Sequence, residues 1–163
     1  MKPRQFAAVL IALAAASGCH HKKPDMVITD TERTVHGVVS VTGTSNDQRL
    51  MLASASGPLR LHASVIDSAA LARSAGTELS VRGADERGAL RVRSFTVITA
   101  HGRPVVDGYL HEANGRLVLD TPKARLEIRN PPDALRRMVG ARVWIQGPLD
   151  TGPVTYGVIE PKP

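Results

Sequence analysis

The chain has little of what proteins use for covalent chemistry. It contains 163 residues, only 3% of them aromatic, and a single cysteine. One cysteine excludes an internal disulfide, and the spaced Cys and His pairs of zinc sites are missing. The motifs G-x-S-x-G, H-E-x-x-H and C-x-x-C are missing as well. We therefore expect no enzymatic activity, no metal site and no cofactor.

The shortage of aromatic rings also bears on nucleic acid. Lys and Arg number 21 against 15 Asp and Glu, a formal charge of +6. Proteins that bind single strands need aromatic platforms under the bases, each contributing about 1–3 kcal/mol. With five aromatic residues in the whole chain, the basic balance does not predict a nucleic-acid partner.

Long hydrophobic runs are also missing. The longest covers residues 6–16, and its 11 residues fall short of the ~20 needed to span a bilayer as a helix. It follows Lys2 and Arg4, and its length is that of the apolar part of a signal peptide. The run leads directly into Ser17-Gly18-Cys19.

This segment resembles the lipobox of bacterial lipoproteins, although alanine stands at Ala16 where leucine is favoured. The resemblance implies that residues 1–18 are a signal peptide removed by signal peptidase II. It also implies that Cys19 carries a diacylglycerol and an N-acyl chain such as palmitate. His20, rather than aspartate, follows the cysteine, which in this family implies sorting to the outer membrane, on its periplasmic side. An ordinary secretory signal cut near Gly18 is the alternative.

Residues 19–33 are polar, contain Pro24 and show no sustained periodicity. We interpret them as a tether between the lipid and the folded part. Its basic start would lie against the membrane surface, where each lysine gains about 1 kcal/mol from anionic lipid. The predicted membrane contact is therefore the N-terminal lipid.

The rest of the chain contains an internal repeat. Residues 71–92 and 135–156 align at a constant offset with no gap, with Gly76, Gly83 and Gly88 matching later glycines and apolar residues matching between them. Each copy reads as the end of a helix, an alternating strand, a turn and a second strand. Repeats of this kind indicate a duplicated unit.

Two units follow from extending the pattern in both directions, repeat 1 over residues 34–99 and repeat 2 over 104–160. Each has three alternating strands before its helix. Ser64 and Asp67 form a capping box at the first helix start, and Asn130 precedes two prolines as the expected cap of the second. A change of parity along the last strand of repeat 1 predicts a β-bulge near Ser94.

Three strands, a helix and two strands in about 60 residues resemble the OB-fold. The resemblance implies two tandem five-stranded OB-fold-like barrels, each with a short helix between strands 3 and 4. A pair of SH3-like barrels is the alternative. The OB resemblance places the binding loops at residues 42–48 and 84–87 in repeat 1, and at 112–115 and 148–151 in repeat 2.

Four arginines are expected on the outer surface of repeat 1 from strand parity: Arg60, Arg82, Arg91 and Arg93. Arginines on one face can hold phosphate, carboxylate or an anionic glycan. The alternative is a charged surface that keeps the strands soluble.

Trp144 is the other candidate surface residue. Val143 and Ile145 must point into their own unit, so Trp144 points out of it. It is expected either to pack against repeat 1 or to mark a surface for a partner.

The sequence thus predicts a non-enzymatic lipoprotein of the cell envelope whose paired units bind another envelope protein. A receptor for an anionic envelope glycan or small anion, using the arginines, is the alternative.

Overall fold

A computed structural model describes residues 31–163 except 45, 46 and 154. The predicted signal peptide, Cys19 and nearly all of the predicted tether lie outside the described residues. The elements in chain order are β1 (Glu32–Thr42), β2 (Arg49–Ser54), β3 (Gly57–His62), α1 (Val65–Arg73), β4 (Glu78–Glu86), β5 (Ala89–Ala100), β6 (Arg103–Pro104), β7 (Val106–Ala113), β8 (Arg116–Asp120), β9 (Arg125–Ile128), α2 (Asp133–Arg136), β10 (Arg142–Gln146) and β11 (Thr155–Glu160).

The protein is mainly β, as predicted, and the five strands of repeat 1 form a six-stranded sheet together with the short β6 that follows them. The strand order is β3-β2-β1-β4-β5-β6, and β3 also pairs with β5. That additional pairing is parallel and joins Leu61 to Leu90. The pairings therefore run in a circuit from β1 through β2, β3, β5 and β4 back to β1, with the short β6 added beside β5.

Repeat 2 forms a five-stranded sheet in the corresponding order, β11-β10-β7-β8-β9. In the part of the chain that the structure describes, β9 and β11 are edge strands and do not pair. Of the predicted pair of five-stranded OB-fold-like barrels, the structure thus shows two β-sheets, and the strand pairings that it describes in repeat 2 do not close into a barrel. The loop after β10 contacts the end of β9 instead: the amide of Arg129, the residue after β9, donates to the Leu149 carbonyl at 2.8 Å.

Each repeat contains an equivalent backbone hydrogen bond between the glycine that follows its helix and its first strand. The Gly76 amide donates to the Val39 carbonyl at 2.9 Å, and the Gly140 amide donates to the Leu110 carbonyl at 2.8 Å. Both glycines have positive φ, 85° and 91°, which glycine adopts at little cost. The sequence repeat thus corresponds to repeated geometry.

The glycine in each first strand also has the same role in both repeats. A Cβ on Gly37 would overlap the Ala53 carbonyl, and one on Gly108 would overlap the Asp120 carbonyl. Each neighbour lies on the adjacent strand, β2 or β8. The absence of a side chain is therefore what lets the strands approach closely here.

The predicted bulge in β5 is confirmed one residue from its expected position. Arg82 pairs with Ser94, whereas the next residue, Gly83, pairs with Val92, so Arg93 is the extra residue. The bulge lets Val92 and Phe95 both point into the core, where both are buried. The bulge at Arg93 is therefore the physical cause of the parity change in the sequence of β5.

The two helix starts differ. The prediction for α1 is confirmed, because the Asp67 amide donates to the Ser64 hydroxyl at 3.1 Å and the hydroxyl donates to the Asp67 carboxylate at 2.7 Å. The predicted Asn130 cap of α2 is wrong. Pro132 occupies the cap position with no side-chain hydrogen bond, because Asn130 takes a left-handed φ of 47° two residues earlier.

Two predicted boundaries in repeat 1 move. The turn expected over residues 84–87 is shorter, because β4 continues to Glu86 and only Arg87 and Gly88 turn, both with positive φ. Ala84, expected in that loop, is fully buried. At the start, β1 begins at Glu32, inside the segment predicted as tether.

The hydrophobic core consists of two clusters. One lies within the sheet of repeat 1 and the other within that of repeat 2, and each includes the leucine of its own helix, Leu71 or Leu135. Two residues of repeat 2, Trp144 and Ile159, belong to the repeat 1 cluster. The repeats therefore share apolar packing.

Candidate functional site

A carboxylate lies close to two of the four arginines predicted to form a binding face. Arg82 lies 2.6 Å from a Glu32 carboxylate oxygen, and Arg93 lies 3.8 Å from the other oxygen of the same carboxylate. Glu32 was not part of the sequence prediction, because it lay in the predicted tether. It lowers the positive charge that this face can offer to an anionic ligand.

The structure does not bring all four arginines to one place. Arg91 and Arg93 line a groove of about 310 Å³, and Arg91 lies 3.8 Å from a Glu86 carboxylate oxygen. Arg60 lines a separate groove of about 310 Å³ together with Arg49. Three of the four predicted arginines are therefore divided between two shallow grooves, and Arg82 lines neither.

Trp144 points out of repeat 2 and into the core cluster of repeat 1. Only 8% of it is exposed, so its ring is not available as a partner surface. Its ring meets that of His101 edge to face, with 6.1 Å between centroids. It also lies over Gly157 on the neighbouring strand, where a Cβ would come within 2.5 Å of the indole.

A buried ionic network joins the repeats beside this contact. The Arg142 guanidinium donates to both oxygens of Asp107 at 2.9 Å and to Glu160 at 3.0 Å. The side chains of Arg142 and Asp107 are 14% and 3% exposed. Such a pair is held rigidly, because a bidentate guanidinium and carboxylate fix each other's orientation.

The same two side chains complete the edge of a strand in repeat 1. Arg142 donates to the Phe95 carbonyl at 2.6 Å, and the Val97 amide donates to Asp107 at 2.8 Å. The guanidinium carbon of Arg142 also lies 4.5 Å from the centre of the Phe95 ring. Side chains of repeat 2 thus satisfy β5 backbone groups that a neighbouring strand would otherwise satisfy.

Two pKa values report on this network. Burial alone would lower the pKa of Arg142, but the hydrogen bonds and charges of Asp107 and Glu160 outweigh it and raise that pKa. The pKa of Tyr109 is raised by burial first, and then by the hydrogen bond that its hydroxyl donates to Glu160 at 2.9 Å. The network therefore favours a charged Arg142 and a protonated Tyr109.

A cleft of about 740 Å³ opens on one side of the network, with residues of both repeats in its walls. Arg142, Asp107 and Glu160 line it, together with Tyr109 and His111 of repeat 2. Clefts of this size between folded units are common ligand and partner sites. We call it the inter-repeat cleft.

The charged side chains of the inter-repeat cleft are mostly acidic. Four carboxylates line it: Asp67, Asp107, Asp120 and Glu160. Two guanidinium groups, Arg93 and Arg142, oppose them. With His111 neutral, the lining carries a net charge of −2, opposite in sign to the chain as a whole.

No family model matches this chain. No curated protein and no solved structure matches it either. Within the residues that the structure describes, no helix is long and apolar enough to cross a membrane. Over the same residues, no group of three or more His, Cys, Asp and Glu side chains is arranged to hold a metal ion.

One apolar feature stands outside the core. Val65 and Ile66, the first two residues of α1, are 88% and 73% exposed. The next residue, Asp67, lines the inter-repeat cleft, and the preceding residue, Ser64, lines the groove that contains Arg91 and Arg93. The first turn of α1, which carries the two exposed side chains, thus borders both concave surfaces.

Sequence reasoning missed Arg142, Asp107 and Glu160. Arg142 has the same parity as Trp144 in β10, so the outward face that predicts a contact for Trp144 also contains it. Asp107 and Glu160 lie on separate strands that only the pairing of β7, β10 and β11 brings together. The outward parity of Arg142 was the one signal available.

Proposed function

We propose that the chain is a lipoprotein anchored through Cys19 on the periplasmic side of the outer membrane, where its two repeats bind another envelope protein. The pattern of residues 1–19 supports the anchor. The proposed activity is binding, without catalysis. Its partners are the membrane, through the lipid, and an envelope protein.

At the level of fold, we propose that both repeats descend from an OB-like barrel. The circuit of pairings in repeat 1, with its parallel β3–β5 pair and with α1 between β3 and β4 in chain order, supports this proposal. Repeat 2 keeps the strand order, and its loop after β10 contacts the end of β9 through one backbone hydrogen bond.

The observation that carries a protein-binding role is the exposed pair Val65 and Ile66 beside two concave surfaces. These large β-branched side chains are 88% and 73% exposed. A partner that covers them stabilises the complex by about 25 cal/mol per Å² of apolar surface buried. The buried network fixes the two repeats relative to each other, so a partner meets a preformed surface and spends less free energy on ordering it.

The test uses the full-length protein in its own envelope. An alkyne analogue of palmitate should label the wild type and not Cys19→Ser. Chemical cross-linking should then capture a discrete protein complex that Ile66→Ser weakens. Unlabelled wild-type protein would refute the anchor, and a chain that yields no discrete complex would refute the binding role.

A second candidate is a receptor for an anionic glycan or small anion. Arg60 favours it, because it lines a groove together with Arg49. Heparin can serve as the probe. Retention of the full-length protein should fall in Arg60→Ala and not in Arg82→Ala, because Arg82 is already paired with Glu32. Equal losses in both variants would indicate nonspecific attraction.

A further inference from the structure

We infer that the inter-repeat cleft receives an extended segment of the partner protein that presents a lysine or arginine next to an apolar side chain. This inference rests on the proposed protein-binding function and names the surface and the chemistry of the partner. Three features of the molecule support it: the charge of the cleft, the bonding of its carboxylates and the apolar side chains next to it.

The charge of the cleft selects the sign of its occupant. Four carboxylates and two guanidinium groups give −2 with His111 neutral, on a chain whose formal charge is +6. A concave surface with a net charge concentrates ligands of the opposite sign. A basic segment therefore fits this cleft, whereas an acidic peptide does not.

The guanidinium groups do not cancel this preference. Arg142 is bonded to Asp107 and Glu160, and Arg93 lies 3.8 Å from Glu32, outside the cleft lining. Both are therefore already opposed by carboxylates. A basic ligand does not have to displace either of them.

Asp120 is the carboxylate best placed to receive the basic group. Its contacts to His111 at 3.9 Å and Arg125 at 3.5 Å are longer than the roughly 2.7–2.9 Å of a charge-assisted hydrogen bond. Its oxygens can therefore accept hydrogen bonds from a lysine or arginine. Its side chain is 33% exposed, which makes it reachable.

The apolar part of the segment would cover Val65 and Ile66. These side chains directly precede Asp67, which lines the cleft, so both contacts lie within a few residues' reach of an extended chain. The acidic lining also argues for a protein over a bilayer as occupant, because an anionic lipid surface would be repelled.

Purified full-length protein can be tested with synthetic hexapeptides. The probe alternates leucine and lysine, and the two reference peptides alternate leucine with glutamate and serine with lysine. Asp120→Asn should weaken binding of the probe about threefold, as expected for one exposed ion pair. Ile66→Ser should weaken it about tenfold or more, as expected for one apolar side chain that the peptide buries.

Matched controls lie elsewhere on the protein. Asp85→Asn removes an exposed carboxylate that is paired with Arg33, and Val38→Ser removes an apolar side chain that is 43% exposed on β1. Neither should change the affinity. Equal binding of the leucine–glutamate peptide would overturn the inference, as would control variants that weaken binding as much as the cleft variants do.

A cross-linking experiment in the envelope separates failure of the inference from failure of the proposed function. A photoreactive residue replaces Ile66 in one variant and Val38 in the other. A product formed at position 66 through a segment containing lysine or arginine, and reduced in Asp120→Asn, supports the inference. A product at position 38 alone, or one through an acidic segment, overturns the inference and leaves the binding role standing. No protein product at either position contradicts the binding role.

Discussion

The sharpest prediction concerns Arg142→Ala. Removing the guanidinium leaves Asp107, whose side chain is 3% exposed, without its ionic partner. Loss of one member of a buried pair costs about 3–5 kcal/mol. The Phe95 carbonyl also loses its donor; an unsatisfied acceptor costs about 1–3 kcal/mol, and we count this loss as part of the same total. We expect the free energy of unfolding to fall by about 4 kcal/mol.

Arg82→Ala is the matched control. Arg82 also forms an ion pair with a short distance, 2.6 Å to Glu32, but its side chain is 65% exposed. Exposed pairs contribute about 0.2–1 kcal/mol, because water and salt screen them. The two variants thus compare one kind of ion pair at two degrees of burial.

The assay is urea denaturation of the full-length proteins at neutral pH, followed by circular dichroism. Hydrogen exchange adds a local measurement, because the Val97 amide donates to Asp107 and should exchange faster in Arg142→Ala. A loss of under 1 kcal/mol for Arg142→Ala, or equal losses in both variants, would show that the buried network contributes no more stability than an exposed ion pair. Either result would refute the reasoning above.

Three further predictions address other parts of the fold. Gly157→Ala should destabilise the protein by about 1–3 kcal/mol and change the fluorescence of Trp144, since the new Cβ would come within 2.5 Å of the indole; an unchanged emission spectrum would contradict the described packing. Ser64→Ala should lower the unfolding free energy by about 1 kcal/mol through loss of the α1 cap, whereas Ser64→Asp, which keeps a capping oxygen, should lose less in the same denaturation assay. The raised pKa of Tyr109 means that its contribution to stability is complete below the unfolded value of 10.0 and is lost as pH rises through the higher folded value. Tyr109→Phe should therefore show a shallower loss of stability above pH 10 in thermal melts, and parallel curves would contradict this assignment.

The elements that sequence predicts well are those fixed by short-range patterns. Alternation locates the strands, the capping box locates α1, and the change of parity in β5 locates the bulge at Arg93. In each case, the sequence pattern and its physical cause involve the same few neighbouring residues. The mainly β fold follows from the same local signals.

Features that depend on distant partners were predicted less well. Asn130 has the composition of a helix cap, but its left-handed φ and the following prolines move the helix start to Asp133. Glu32 gains its role only because β1 extends far enough to lie beside Arg82. Local propensity does not contain this information, because it depends on which strands become neighbours.

The candidate site divides in the same way. Parity alone places Trp144 outside its own repeat, but the strand pairings determine what it meets. The inter-repeat cleft was not predicted, because its walls come from segments as far apart as Asp67 and Glu160. A surface formed by two repeats together has no signature within either one.

The use of Asp107 and Arg142 as substitutes for a neighbouring strand has a consequence for the newly made chain. Until residue 142 has been synthesised and folded into place, Phe95 and Val97 present hydrogen-bonding groups that other extended chains can use, and exposed strand edges of this kind promote aggregation. A chain that ended after repeat 1 would leave these backbone groups of β5 exposed permanently. Once the copies had come to depend on each other in this way, losing either one would have become costly.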